Sequence, residues 1–132
     1  MNRRAAELSQ QDAAFLEGLG RPWEVILDGS LWVLLHEFPL PEGYTESTVT
    51  MAIRIESGYP LAQLDMMYLY PAIQRRDGKH IGAAEVQQPL DQKQFQRWSR
   101  HRGPGNPWKN GEDSLETHVY LMDEALRSEL TK

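Results

Sequence analysis

Between Val49 and Glu56 the apolar residues recur with the two-residue period of a half-buried strand, and runs rich in Val, Ile, Leu and Trp precede it from Trp23. Between Leu115 and Leu130 the apolar residues recur with the period of a helix. Ser9-Gln-Gln-Asp12 has capping-box spacing ahead of Ala13, Ala14, Phe15, Leu16 and Leu19, which predicts a short first helix stopped at Gly18 or Gly20. Residues 1–8 before it are expected to form a frayed arm. Trp23-Glu-Val-Ile-Leu27 and Leu31-Trp-Val-Leu-Leu-His-Glu37 flank Asp28-Gly29-Ser30, a hairpin signal because Gly accepts positive φ without steric cost. Pro39 and Pro41 lack ladder donors, so Phe38–Tyr44 is expected outside regular strand. Val49, Met51, Ile53 and Ile55 alternate with Thr50, Ala52, Arg54 and Glu56 in a third strand. Ser57-Gly58-Tyr59-Pro60 turns the chain, and Met66–Tyr70 makes a fourth strand ended by Pro71.

Residues 72–97 are polar with no strong period and predict an irregular crossover. Long irregular segments in compact domains are often functional. Trp98–Trp108, dense in Gly, Pro and Arg, predicts a loop. Asp113-Ser-Leu-Glu116 repeats the capping pattern. Leu115, Val119, Met122, Leu126 and Leu130 then form one stripe, with Glu116, Asp123, Glu124, Arg127 and Glu129 off it. The sum is a single α+β domain over 1–132: N-terminal helix, four-stranded antiparallel meander, irregular crossover, C-terminal helix. Its expected core contains Phe15, Leu27, Val33, Val49, Met51, Ile53, Leu69, Val119, Met122 and Leu126.

Composition narrows the chemistry. The 132 residues suit one core, and 14 Lys plus Arg against 19 Asp plus Glu give a formal charge of -5. An anionic chain lacks the sequence-independent grip on phosphates, so no nucleic-acid partner is expected. There are 0 cysteines, which removes disulfides, thiolate-bound metals and thiol nucleophiles. Leu31–Leu35 is far too short to span a bilayer, and no apolar signal core follows the arginines of residues 1–8; a cytoplasmic chain with no membrane contact is expected. The 4 histidines, His36, His80, His101 and His118, match no metal-ligand spacing, so neither metal nor cofactor is expected. His118, beside core-facing Val119, is expected to back the loop through a hydrogen bond.

Tyr59-Pro60 before the fourth strand, and Trp108 followed by Leu115-Glu-Thr117, resemble the ubiquitin-conjugating (UBC) superfamily. Phe38-Pro-Leu-Pro-Glu-Gly-Tyr44, Gln96-Arg-Trp-Ser-Arg-His-Arg102 and Thr117-His118 resemble, more specifically, the prokaryotic ubiquitin-conjugating family E, over about Phe15 to Leu130. The resemblance implies a UBC-like fold and a place in a bacterial ubiquitin-like modification pathway. A ubiquitin-like protein, a ThiF-like activating enzyme and a JAB-type peptidase are the partners it implies. Thiol-dependent members of the superfamily carry a His-Pro-Asn stretch and an acceptor Cys soon after a Gly. The matching places here hold Tyr70-Pro71-Ala72 and Gly78-Lys79-His80-Ile81-Gly82, and a thioester needs a sulfur.

His80 stands beside the missing Cys and is a candidate base or nucleophile; the blander reading is a solvated side chain, since imidazole chemistry needs a positioned partner. Ser99 and His101, two apart on one loop, offer an alcohol nucleophile with a base. Arg97, Arg100, Arg102, Lys109 and His101 offer a local basic patch for carboxylates, with Trp98 and Trp108 pinning the loop's ends; Arg97, Trp98, Arg100, His101, Arg102 and Trp108 are the expected partner-binding residues. Three readings follow. The first is a non-catalytic adaptor that binds a ubiquitin-like protein or its activating enzyme. The second is a non-thiol conjugating enzyme using Ser or His, and the third is an unrelated small α+β binding domain. The missing Cys favours the first over the second, and Tyr59-Pro60 with the Trp98–Trp108 block argues against the third.

Overall fold

The structure, a computed structural model, describes residues 2–132, so Met1 of the expected arm lies outside the described residues. Helix α1 covers Gln10–Gly18, followed by strands β1 (Trp23–Asp28), β2 (Ser30–Pro39), β3 (Thr48–Ile55), β4 (Met67–Tyr70), β5 (Gln87–Leu90) and β6 (Lys93–Trp98), and helix α2 (Leu115–Glu129). The architecture is α+β, with helices at both ends of the element order around one antiparallel sheet, β1-β2-β3-β4-β6-β5. Among the described residues, no helix is long and apolar enough to cross a membrane.

Local chemistry explains the meander. The Ser9 hydroxyl accepts the Asp12 N–H at 3.1 Å and caps α1. Gly29, at φ 71, closes the β1–β2 hairpin, and pairing then runs Val25↔Val33, Val33↔Ile53 and Met51↔Leu69 across four strands. Strand β2 outlasts its expected end. A bulge with Glu37 at φ 54 restores pairing at Phe38↔Val49 and Pro39↔Thr48, where Pro39 is the last residue and no further ladder donor is required. Helix α2 is capped one residue later than expected: the Ser114 N–H donates to Thr117 Oγ1 at 3.0 Å.

Two expectations are corrected. The irregular crossover at 72–97 contains β5 and β6, and β6 pairs with β4, so the sheet has six strands rather than four. The hairpin escapes pattern reading because it buries only Leu90, Phe95 and Trp98, and because its turn, Asp91-Gln92, takes φ 52 and 62 without a glycine. The turn is fastened from outside. The Asp91 N–H donates to Asp28 Oδ2 at 2.8 Å, and the Asp91 carboxylate receives two bonds of 2.8 Å from the Arg3 guanidinium. Contact between the tips of β1–β2 and β5–β6 curls the sheet and encloses a second core of Ile26, Trp32, Leu34, Ala52, Tyr68, Leu90 and Phe95.

The arm at 1–8 does not fray as expected. Arg4 bridges Val25 in parallel, with Ala5 N–H to Val25 O at 2.8 Å and Val25 N–H to Arg3 O at 2.9 Å, because β1 is an edge strand whose outer backbone groups need partners. In the main core, Val33, Val49, Met51, Ile53, Leu69, Val119, Met122 and Leu126 are buried. Phe15 is half-buried against Tyr120. Leu27 instead is 73% exposed, beside the hairpin tip on the edge strand.

Glu24 joins these features. Hydrogen bonds from the Arg3 side chain, assisted by the Arg3 N–H and His36 and opposed by burial, lower its pKa from 4.5 to about 2. A carboxylate with a depressed folded-state pKa stabilises the fold fully above its unfolded pKa and loses that contribution as pH falls through the folded one. The urea midpoint should therefore decline between pH 4.5 and 2, and Glu24→Gln should flatten that decline. An unchanged acid limb in the variant would count against this assignment.

Candidate functional site

Strand β6 delivers Trp98 into the main core with 0% of its surface exposed. Its indole N–H donates to Gln96 Oε1 at 3.0 Å; the same amide accepts the Ile73 N–H at 3.0 Å and donates to the Ile73 carbonyl at 3.1 Å. The loop's first residues and the segment after Pro71 therefore share one anchor. At the other end, the Trp108 indole donates to the Pro60 carbonyl at 3.0 Å and packs against Tyr59. The Tyr59 hydroxyl donates to Asp12 at 2.8 Å and accepts the Leu115 N–H at 2.7 Å, tying the starts of both helices to the loop. Burial, with the Asp12 carboxylate beside it, pushes the Tyr59 phenol well above its ordinary range. Tyr59 and Pro60 are thus brackets for the loop.

Arg100 stacks over Trp98 and donates to the Gly82 carbonyl at 3.1 Å and to Glu129 Oε1 at 3.3 Å. Glu129, 3% exposed, also faces Arg75, whose Nη1 donates to the Glu129 carbonyl at 2.6 Å and whose Nη2 pairs with Asp77 at 2.6 Å. The Ser99 N–H donates to the Ala83 carbonyl at 3.0 Å. The segment at Gly82-Ala83 and the Arg-rich loop are consequently stitched together. Next to them opens a cleft of about 360 Å³ lined by residues including Ile73, Arg75, Lys79, His80, Ile81 and Gln96. Ile81 is buried at its wall, and His80 pairs with Glu85 at 2.7 Å while remaining 74% exposed.

The candidate nucleophile pair is not assembled. His101 Nδ1 sits 2.8 Å from both oxygens of Asp65, whereas the Ser99 hydroxyl lies 3.7 Å from Met66 Sδ. The expected basic patch is also divided. Arg102, 6% exposed, bonds Asn106 Oδ1 at 3.2 Å and Asp113 at 3.3 Å beneath the Trp108 ring. Arg97 lies opposite Tyr68 in the ladder, two residues from Phe95 of the second core, with a buried Nε that has no partner. Of the cationic residues foreseen as the loop's donors, His101 and Lys109 remain exposed, beside a bare tip at Gly103–Pro107.

His118 backs the loop as expected. Buried in α2, it donates from Nε2 to the Met66 carbonyl at 2.8 Å, and the Met66 N–H in turn holds the Arg100 carbonyl at 3.1 Å. Burial lowers its pKa, so it is the neutral Nε2–H tautomer. Met66 takes φ 61, which this pair of bonds secures. His36 bonds Glu24 and Thr50, so the four histidines have four separate sets of partners. Arg75 and Glu129 were not singled out from the sequence. The available signal was the position of Glu129 three residues after Leu126, on the buried side of α2 rather than off its stripe.

Residues 8–129 match the family model of prokaryotic E2 family E, and the chain belongs to that family. No curated protein and no solved structure matches it.

The loop's residues should separate by role in urea unfolding. Trp98→Ala removes a buried indole and should cost about 3–5 kcal/mol. Arg102→Ala leaves Asp113 without its guanidinium and should cost about 1–3 kcal/mol. His101→Ala, at an exposed pair, should stay within about 0.5 kcal/mol. Equal effects from Arg102→Ala and His101→Ala would contradict the division between bracing and presented residues.

Proposed function

We propose that this member of prokaryotic E2 family E is a binding component of a bacterial ubiquitin-like modification pathway, an adaptor that holds a ubiquitin-like protein or its ThiF-like activating enzyme. A JAB-type peptidase belongs to the same proposed setting. The observation that carries the reading is the state of the acceptor segment. Where a thiol-dependent member presents its sulfur, this chain turns Ile81 into the wall of the cleft and commits the Gly82 carbonyl to Arg100. Acyl transfer to the protein needs a nucleophile with a base in reach, and the sequence has no thiol.

Recognition fits the same geometry. Trp98 and Arg102 act by holding the loop, Arg100 and Trp108 contribute their partly open edges, and His101 with the Gly103–Pro107 tip forms the presented face. Arg97 joins a partner only on the other side of the sheet. A loop braced in advance loses little conformational freedom on binding, which favours affinity. The non-thiol enzyme reading has less support, since Ser99 and His101 bond to different groups and His80 has only an exposed ion pair.

The test uses purified protein with activating enzyme, modifier and ATP. No adduct sensitive to reductant or to hydroxylamine should form, while calorimetry should detect binding to the modifier or the activating enzyme. His101→Ala/Lys109→Ala should fold normally and weaken that binding by about tenfold, near 1.4 kcal/mol. A hydroxylamine-labile adduct that disappears in Ser99→Ala would instead make the chain a conjugating enzyme. Wild-type affinity in the folded double variant would remove the loop from recognition.

A further inference from the structure

The outer edge of β1 carries a complete set of contacts for an extended basic segment, and the chain's own arm occupies it. Arg3 places its guanidinium between two carboxylates, bonding Glu24 at 2.8 and 3.1 Å and Asp91 twice at 2.8 Å. Arg4 points to the opposite side, as alternation in an extended chain requires. Its guanidinium lies 3.4 Å from the centroid of the Trp23 ring and donates to the Trp23 carbonyl. Between them, the backbones of Arg3 and Ala5 bond both polar groups of Val25 in parallel register. Two adjacent arginines are thus read separately, one by an acidic pair and one by an aromatic face, on a scaffold of main-chain pairing.

The arm leaves that site before filling it. A bend at Ala5–Ala6 carries the chain away toward α1, so the parallel pairing stops at Val25. Leu27, two residues further along β1, repeats Val25's orientation in the ladder, and its side chain is 73% exposed. A strand that continued straight would pair with Leu27 and set the residue two after its second arginine against that side chain. Exposed edge strands of this kind are docking sites for added strands, with side-chain contacts supplying the selectivity.

We propose that the β1 edge, with Glu24, Asp91, Trp23 and Leu27, is a docking site for an extended partner segment of the pattern Arg-Arg-x-apolar, and that residues 3–5 are its removable occupant in cis. The arm is held by half-exposed Arg3 on buried Glu24 and on Asp91, by Arg4 over Trp23 and by the backbone pairing at Val25, contacts that an incoming basic strand reproduces, and tethering gives it a high local concentration. An incoming segment with the additional apolar residue displaces it, adding a strand to the sheet beside β1. This site is independent of the loop at Arg97–Trp108, so either proposal stands if the other fails.

The test titrates a blocked peptide, Arg-Arg-Thr-Leu-Thr flanked by polar residues, into isotope-labelled full chain and follows amide and indole resonances. In the wild type, the peptide should shift Val25, Leu27 and the Trp23 indole together with Arg3 and Ala5, as the arm leaves. In Arg3→Ala/Arg4→Ala the same β1 resonances should saturate at about tenfold lower peptide concentration, because the cis competitor is weakened. Replacing both peptide arginines by alanine, or introducing Asp91→Asn, should abolish the shifts. Absence of shifts in the wild type at millimolar peptide, or equal binding by the alanine peptide, would overturn the proposal. The wild-type titration decides the matter even if the double variant does not fold.

Discussion

A carboxylate buried at the end of α2 organises the side of the molecule that holds the cleft at Ile73–Glu85 and the start of the Arg-rich loop. Glu129 is taken almost wholly out of water, and a charge in that position must find cations at close range. It finds three: Arg75 after β4, Arg100 after β6 and, just beyond the helix itself, Lys132. Because each guanidinium also bonds backbone carbonyls, the ion cluster fixes main chain as well as charge. The turn at 75–79, the segment 80–84 and the start of the loop all take their positions from it. Removing one member of such a cluster leaves the others uncompensated, which explains how an irregular region is held without helix or strand.

The same physics operates at the far edge of the sheet. The β5–β6 turn adopts a left-handed conformation at Asp91 and Gln92 that glycine would adopt more easily. Bonds from Asp28 and Arg3 hold it there, and the resulting curl lets Phe95 and Leu90 pack on Trp32 and Tyr68. Antiparallel sheets can leave one face to water. This one closes much of that face upon itself, which gives a small domain a second cluster of apolar burial without a third layer.

These two places show why the chain is only partly legible as sequence. The period of Val49–Ile55 and the stripe of α2 report burial directly, so the meander and the last helix are readable from apolar spacing alone. The β5–β6 hairpin is specified by tertiary contacts from Arg3 and Asp28, far away in the chain, and its strands carry glutamines where a reader looks for valines. In the loop, residue types were legible but their partners were not. An Arg-rich string looks the same whether its guanidinium groups face solvent or an acid contributed by a helix, and Glu129 and Asp113 decide that here.

That distinction changes the sign of the surface. On composition, the arginines of the loop are an island of positive charge on an anionic protein, suited to an acidic partner. Once Arg3, Arg75, Arg100 and Arg102 are paired internally, a substantial part of the cationic inventory is neutralised within the fold. Their acidic partners are largely neutralised with them, so most of the formal charge of -5 belongs to the side chains left outside those pairs. Long-range attraction, which sets encounter rates more than final affinity, therefore favours basic partners over acidic ones. A loop that is braced by arginines need not recognise a partner through them, and on the proposed reading this one does not. It offers shape, a half-open imidazole and a proline-stiffened tip, while charge complementarity acts over the rest of the surface.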